Sequence, residues 1–213
     1  MPAHQLREPR SAAPVDLVPP KDVIHATHAV LGSVDLDPYS TAEANRLVTA
    51  KAFFDRNSHD IDDVLSRAWD THPNCRVFLG VPSGASMTRR LLDKLQSEYQ
   101  RNRVQQAVVW IGANEAITRT PWIWDFPLCF PFRRLRPCYW DDELDELRPI
   151  APAHWSAILY LPPKSCTELF FQSVSRFSVA FSPIGRVVVN EWSGAEWEHA
   201  YAKLFGRPYL RHL

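Results

Sequence analysis

The chain has 213 residues, with 24 basic and 24 acidic side chains that cancel, 7 glycines and 18 prolines. That length suits one domain, or one domain with tails. A hydrophobic fraction of 46%, with 8 Trp, 11 Phe and 6 Tyr, is ample for a core and excludes intrinsic disorder. No apolar run reaches the ~18 residues of a membrane span, and the first twenty residues are polar and proline-rich without an apolar signal-peptide centre. A soluble, cytoplasmic protein without membrane contact is expected.

Zero net charge argues against a generic polyanion binder, yet 19 of the 24 basic residues are Arg and 5 are Lys. Arg makes planar, bidentate contacts to phosphates and carboxylates, so local nucleic-acid contact stays open. Cys75, Cys129, Cys138 and Cys166 show no CxxC spacing. They are expected as free, mostly buried thiols, with neither a metal site nor a disulfide framework.

In chain order, residues 1–17 read as a flexible arm. Val23, Ile24, Val30 and Leu31 fall on one face of a helix over 21–31 that stops at Gly32. A short strand over 33–37 follows, broken by Pro38, and then a short helix with Thr41 as N-cap. Residues 76–81 read as a strand entering a Pro-Ser-Gly turn. Residues 86–103 read as a helix with Leu91, Leu92, Leu95 and Tyr99 inward, and 106–112 as a strand buried on both faces. Further strands are expected at 128–130, 157–161, 178–181 and 186–190, with helices at 166–174 and 194–205. Strands alternating with helices point to an α/β layer fold with a mostly parallel central sheet, whose ligand crevice lies at the carboxyl ends of the strands.

Asp35 and Asp37 flank Leu36 at an expected strand end, where a carboxylate can accept hydrogen bonds from ribose hydroxyls or a nucleoside amino group. The pair equally suits capping of the next helix. No GxGxxG accompanies them, so a dinucleotide enzyme of the ordinary kind is not indicated. His25 and His28 share a helix face but lack a carboxylate or Cys at metal-ligand spacing. Asp60, Asp62 and Asp63 suit a helix start, and Trp122 and Trp124 suit either a recognition loop or aromatic packing.

The stretch VLGSVDLDPYSTAEANRLV, from Val30 to Val48, resembles the DLDPAS-x-x-EAN segment of the phage-type DNA N6-adenine methyltransferases, the phage Dam family. The resemblance continues in order through Ala52-Phe-Phe, RVFLGVPSG from Arg76, PLCFPFRRLR from Pro127 and SAILYL from Ser156. It spans about Val18 to Phe181. It implies a class I S-adenosylmethionine-dependent methyltransferase fold over 18–213, Rossmann-like, with S-adenosylmethionine as the possible cofactor and no metal. Pro19, Asp35, Asp37 and Pro38 would lie at the cofactor.

The departures bear on chemistry. The family tetrapeptide Asn/Asp-Pro-Pro-Tyr/Phe accepts hydrogen bonds from the adenine amino group and stacks on the flipped base. Here the aligned catalytic positions are Gly80, Val81, Pro82 and Ser83, with neither the polar acceptor nor the ring. Losing one preorganised polar contact costs about 10²–10³ in rate, and base stacking contributes about 1–3 kcal/mol. Val18 stands where the family tends to have Thr, and Tyr39 where it has a small Ala. The resemblance with these losses implies an adenine-methyltransferase-like pseudoenzyme that binds DNA or a protein assembly. The alternatives are an interaction protein of a phage or mobile element with a filled cleft, and an active enzyme with a divergent site. Arg133, Arg134 and Arg136, among Phe130, Phe132, Tyr139 and Trp140, suit phosphate contact plus base stacking. The acidic run at 141–146 offers the competing expectation, that it neutralises them as a solvated loop or short helix.

Overall fold

The computed structural model describes residues 17–71, 74–81, 84–112, 114–141, 143–151, 154–164 and 167–189. All of the expected arm but Leu17, and the expected helix over 194–205, lie outside these residues.

Chain order begins with α1 (Lys21–Leu31), β1 (Leu36–Ser40), α2 (Ala42–Val48), β2 (Ala52–Asp55) and α3 (Ile61–Ser66). Thr41 caps α2 by accepting the Ala44 N–H at 3.1 Å, and Asp60 caps α3 by accepting that of Asp63 at 2.8 Å. Then come β3 (Cys75–Val81), α4 (Ala85–Gln100), β4 (Val104–Ile111), α5 (Asn114–Thr118) and a 3-10 turn (Pro121–Asp125). The chain continues through β5 (Leu128–Pro131), β6 (Cys138–Asp141), β7 (Glu146–Pro149), β8 (Ala157–Leu161), α6 (Thr167–Phe181) and β9 (Gly185–Val188).

Seven strands form one sheet in the order β2-β1-β3-β4-β8-β5-β9, and β6 and β7 form a separate hairpin. The first four are mutually parallel, and β8 runs against both β4 and β5. β5 therefore points the same way as the first four, and β9 opposes it. Five of the seven strands share one direction, so the sheet is mostly parallel.

Period-two alternation separates two cores. Leu36, Val77, Leu79, Val81, Val109 and Leu159 pack with Leu91, Leu92 and Leu95 of α4. Phe78, Val108, Trp110, Ile158 and Tyr160 pack instead with Ile24 and Val30 of α1 and Phe177 and Phe181 of α6. Helices thus cover both faces, which is why β3, β4 and β8 read as continuous apolar runs.

Three expectations are corrected. Pro38 lies inside β1 rather than ending it; β1 meets β3 only at Leu36, and its register with β2 slips between Asp37 and Ser40, so the ladder there asks for no N–H from proline. Residues 178–181 close α6 instead of forming a strand, because Val174, Phe177 and Phe181 extend one buried helical face. Of the acidic run, Asp141 and Glu146 face each other in the β6–β7 hairpin and Glu143 and Asp145 sit in its exposed turn, so the described acids form no short helix.

Candidate functional site at the carboxyl edge of the sheet

β1, β3, β4 and β5 all end on one edge, where ligands of an open α/β sheet bind. The N-terminus of α1 opens at the same edge. The segment before it is tied down there by two backbone bonds, Val18 N–H to Cys138 O at 2.7 Å and Cys138 N–H to Val18 O at 2.9 Å.

Asp35 precedes β1 and so sits towards the opposite edge from the expected crevice. It is 3% exposed. Its Oδ2 accepts from Arg76 Nε at 2.8 Å and the Arg76 backbone N–H at 3.0 Å. Its Oδ1 accepts from Lys51 Nζ at 2.7 Å and Arg76 Nη2 at 3.1 Å. Burial opposes ionisation, but the hydrogen bonds from Arg76 and then Lys51 hold the carboxyl well below its usual range. The same guanidinium donates to Leu31 O at 3.0 Å and Ser33 Oγ at 2.6 Å, clamping the end of α1 to β3.

Asp37 is 2% exposed and has no cation in hydrogen-bond contact among the described residues. Its Oδ1 accepts the Tyr39 N–H at 3.3 Å, and Ser40 lies near, its hydroxyl donating to Thr41 O at 3.5 Å. Burial pushes its pKa up to about 7, only partly offset by Ser40, Tyr39 and the charge of Arg56. Pro38 is buried, and Tyr39 packs half-buried on the α4-side core with the Arg56 guanidinium 5.7 Å from its ring centroid.

Gly80 and Pro19 meet. A Cβ at Gly80 would lie 3.1 Å from Pro19 Cγ and 3.3 Å from Phe78 Cε1. The proline ring therefore occupies the space that a side chain at position 80 would enter. Trp110, paired with Gly80 across β3 and β4, buries its indole N–H without an acceptor. Val81 faces the other core and is fully buried. Pro82 and Ser83 lie outside the described residues.

Arg133, Arg134 and Arg136 leave the carboxyl end of β5, are exposed, and line a groove of about 640 Å³ with Lys21 and Asp22. The competing expectation for the acidic run is not met among the described residues. Asp145 pairs with Arg46 at 2.8 Å, while Asp141 and Glu146 each pair with Arg148 at 3.0 Å. Arg46 also stacks 3.4 Å above the Trp140 ring centroid. Asp141, Asp145 and Glu146 are thus engaged by Arg148 and by Arg46 of α2, and no described carboxylate forms an ion pair with the three arginines.

The edge brings Pro19, Asp37, Gly80 and the three arginines together and leaves Asp35 out. Sequence reasoning missed Asp55, which closes β2 and takes the position from which an acid reaches a ribose in doubly wound sheets. Here its oxygens accept from Asn57 N–H at 2.9 Å and Ser58 Oγ at 3.0 Å. The short apolar run Ala52-Phe-Phe ending in an acid was its signal. A nucleoside cofactor needs open polar groups at this edge. Asp35 has none left, and Asp37, Pro19 and Pro38 are buried, so these four residues as arranged do not fit S-adenosylmethionine.

His28 is taken up structurally, its Nε2 lying 3.0 Å from Val48 O. Trp122 packs edge-on against Phe126, and Trp124 stacks on Phe130. Cys75, Cys129 and Cys138 are free and buried, and burial pushes the Cys129 thiol up to about 12. Among the described residues no three His, Cys, Asp or Glu side chains gather as a metal site requires, and no helix is long and apolar enough to cross a membrane. Neither a protein-family model nor a curated protein matches the chain.

Proposed function

We propose that the chain is a methyltransferase-fold relative of the phage-type adenine methyltransferases that has lost methyl transfer and works by binding DNA. The order of the sheet supports the fold, because the reversed β8 wedged between β4 and β5 is the arrangement expected of a class I methyltransferase sheet. The observation that carries the loss of catalysis is the contact of Pro19 with Gly80. The amide of the family tetrapeptide would project where the proline ring now lies. Binding would fall to Arg133, Arg134 and Arg136, which end on the same edge and have no described carboxylate partner.

Calorimetric titration with S-adenosylmethionine, beside a tritiated-methyl transfer assay on unmethylated DNA, tests this reading. The expected result is no transfer above background. Robust transfer would sink it. A filled cleft also suits a second reading, an interaction protein of a phage or mobile element, which absence of both cofactor heat and DNA binding would favour.

A further inference from the structure

We propose that the surface from Phe132 to Arg136, together with Trp155, is built for single-stranded DNA rather than duplex. This inference rests on the reading of the three arginines as a DNA contact and narrows it.

Phe132 follows β5 directly and is 68% exposed. Trp155, just ahead of β8, is 44% exposed and carries the Arg134 guanidinium 6.0 Å from its ring centroid. β8 starts on the edge where β5 ends, so both rings flank the arginines. Arg133 lines two adjoining hollows, of about 640 Å³ and about 530 Å³, and Phe132 lines the second.

Exposed rings beside free guanidinia match a single strand, whose bases are unstacked and present their faces. A duplex keeps those faces inside its stack and offers this surface only phosphates. Its two phosphate rows reward a broad basic field, whereas this groove has four cations, Lys21 and the three arginines, with Asp22 among them. The chain's zero net charge points the same way. Phosphates of one strand would sit on the arginines while neighbouring bases stack on Phe132 and Trp155.

The test is fluorescence anisotropy of the full chain with a labelled 20-nucleotide oligothymidylate, a 20-base-pair duplex, and heparin as a competing polyanion. Oligothymidylate should bind at least about tenfold tighter than duplex and resist competition by heparin at equal charge. Phe132→Ala and Trp155→Ala should each weaken it about 5- to 150-fold, the fold-change of one lost base stack. Trp155→Phe should restore most of the loss. Combining Arg133→Ala, Arg134→Ala and Arg136→Ala should flatten the logarithmic salt slope by about 2, at about 0.7 per phosphate contact on a single strand. Phe132 is exposed, so its variant folds, and an unchanged thermal melt verifies this. Equal affinity for duplex and single strand overturns this inference while the DNA-binding reading stands. Binding to neither overturns both. Full displacement by heparin, or alanine variants at the two rings that bind as the parent does, would reduce the surface to charge alone and also overturn it.

Discussion

Replacing Asp37 by Asn removes a charge that no cation contacts among the described residues. The carboxyl is 2% exposed, accepts one long hydrogen bond from Tyr39 N–H at 3.3 Å, and is favoured as an anion only weakly by nearby Ser40 and the charge of Arg56. Burial moves its pKa from 3.8 to about 7. The folded chain therefore holds a proton that the unfolded chain releases above about pH 4. Stability from the neutral carboxyl is fully present below pH 3.8 and is lost as pH rises through about 7. A displacement of about 3 pK units at about 1.4 kcal/mol each gives about 4 kcal/mol forfeited at pH 8.

Asn keeps an oxygen for Tyr39 but brings an amide N–H that needs an acceptor, at about 1–2 kcal/mol if it finds none. Asp37→Asn should therefore gain about 2–3 kcal/mol at pH 8 and lose about 1–2 kcal/mol at pH 4, where the parent carboxyl is neutral and only the amide cost remains. Urea unfolding followed by tryptophan fluorescence from pH 4 to pH 8 measures both, and the gain corresponds to about 1 M in midpoint. Parallel curves for the two proteins across that range would refute the reasoning, because Asp37 would then ionise as freely folded as unfolded.

Arg76→Met should cost about 3–5 kcal/mol at pH 7, since it strands the buried Asp35 with Lys51 as its one remaining cation. Asp35 is held far below its usual range, so its contribution is fully present above about pH 4 and is lost only as pH falls through that depressed value; urea unfolding at pH 3 should still show the variant clearly less stable than the parent, the gap closing only in stronger acid. Gly80→Asn should lower stability by about 1–3 kcal/mol, or about 2–4 °C in Tm per kcal/mol, by driving Pro19 aside, and should not restore methyl transfer. Gly185→Ala places a Cβ 2.6 Å from the Phe130 carbonyl carbon and from Pro131 Cα, so β9 must part from β5. Hydrogen exchange should show loss of protection across 185–188 beyond that of the rest of the sheet.

The elements legible in the sequence were those whose pattern spans several turns or a full strand. α1, α4, β3, β4 and β8 carry long apolar faces or unbroken buried runs, and their positions follow directly. β2, β6 and β7 hold four residues each, too few for a period to show, even though β2 and β6 are largely apolar or aromatic. The stretch 178–181 failed for another reason. Four apolar-rich residues fit either period, and only the burial of Phe177 and Phe181 against Tyr160 selects the helix. For the site, sequence order placed Gly80 and the arginines but could not show that Pro19 reaches Gly80, or that the acids of 141–146 turn to Arg46 and Arg148. The Pro19–Gly80 and Asp145–Arg46 contacts join residues more than fifty apart in the chain, which no local pattern announces.

The two aspartates of the DLDP segment divide its meaning. Asp35 ties the end of α1, the start of β1 and the start of β3 into one clamp through Arg76, so any chain needing that junction gains from keeping it. Asp37, two residues on, has no such duty and sits buried where its charge costs stability. Asp35 thus serves the fold, whereas burying the charge of Asp37 costs it stability. Asp37 lies in β1 at the edge where Pro19 crowds Gly80, and among the described residues no cation contacts its buried carboxyl.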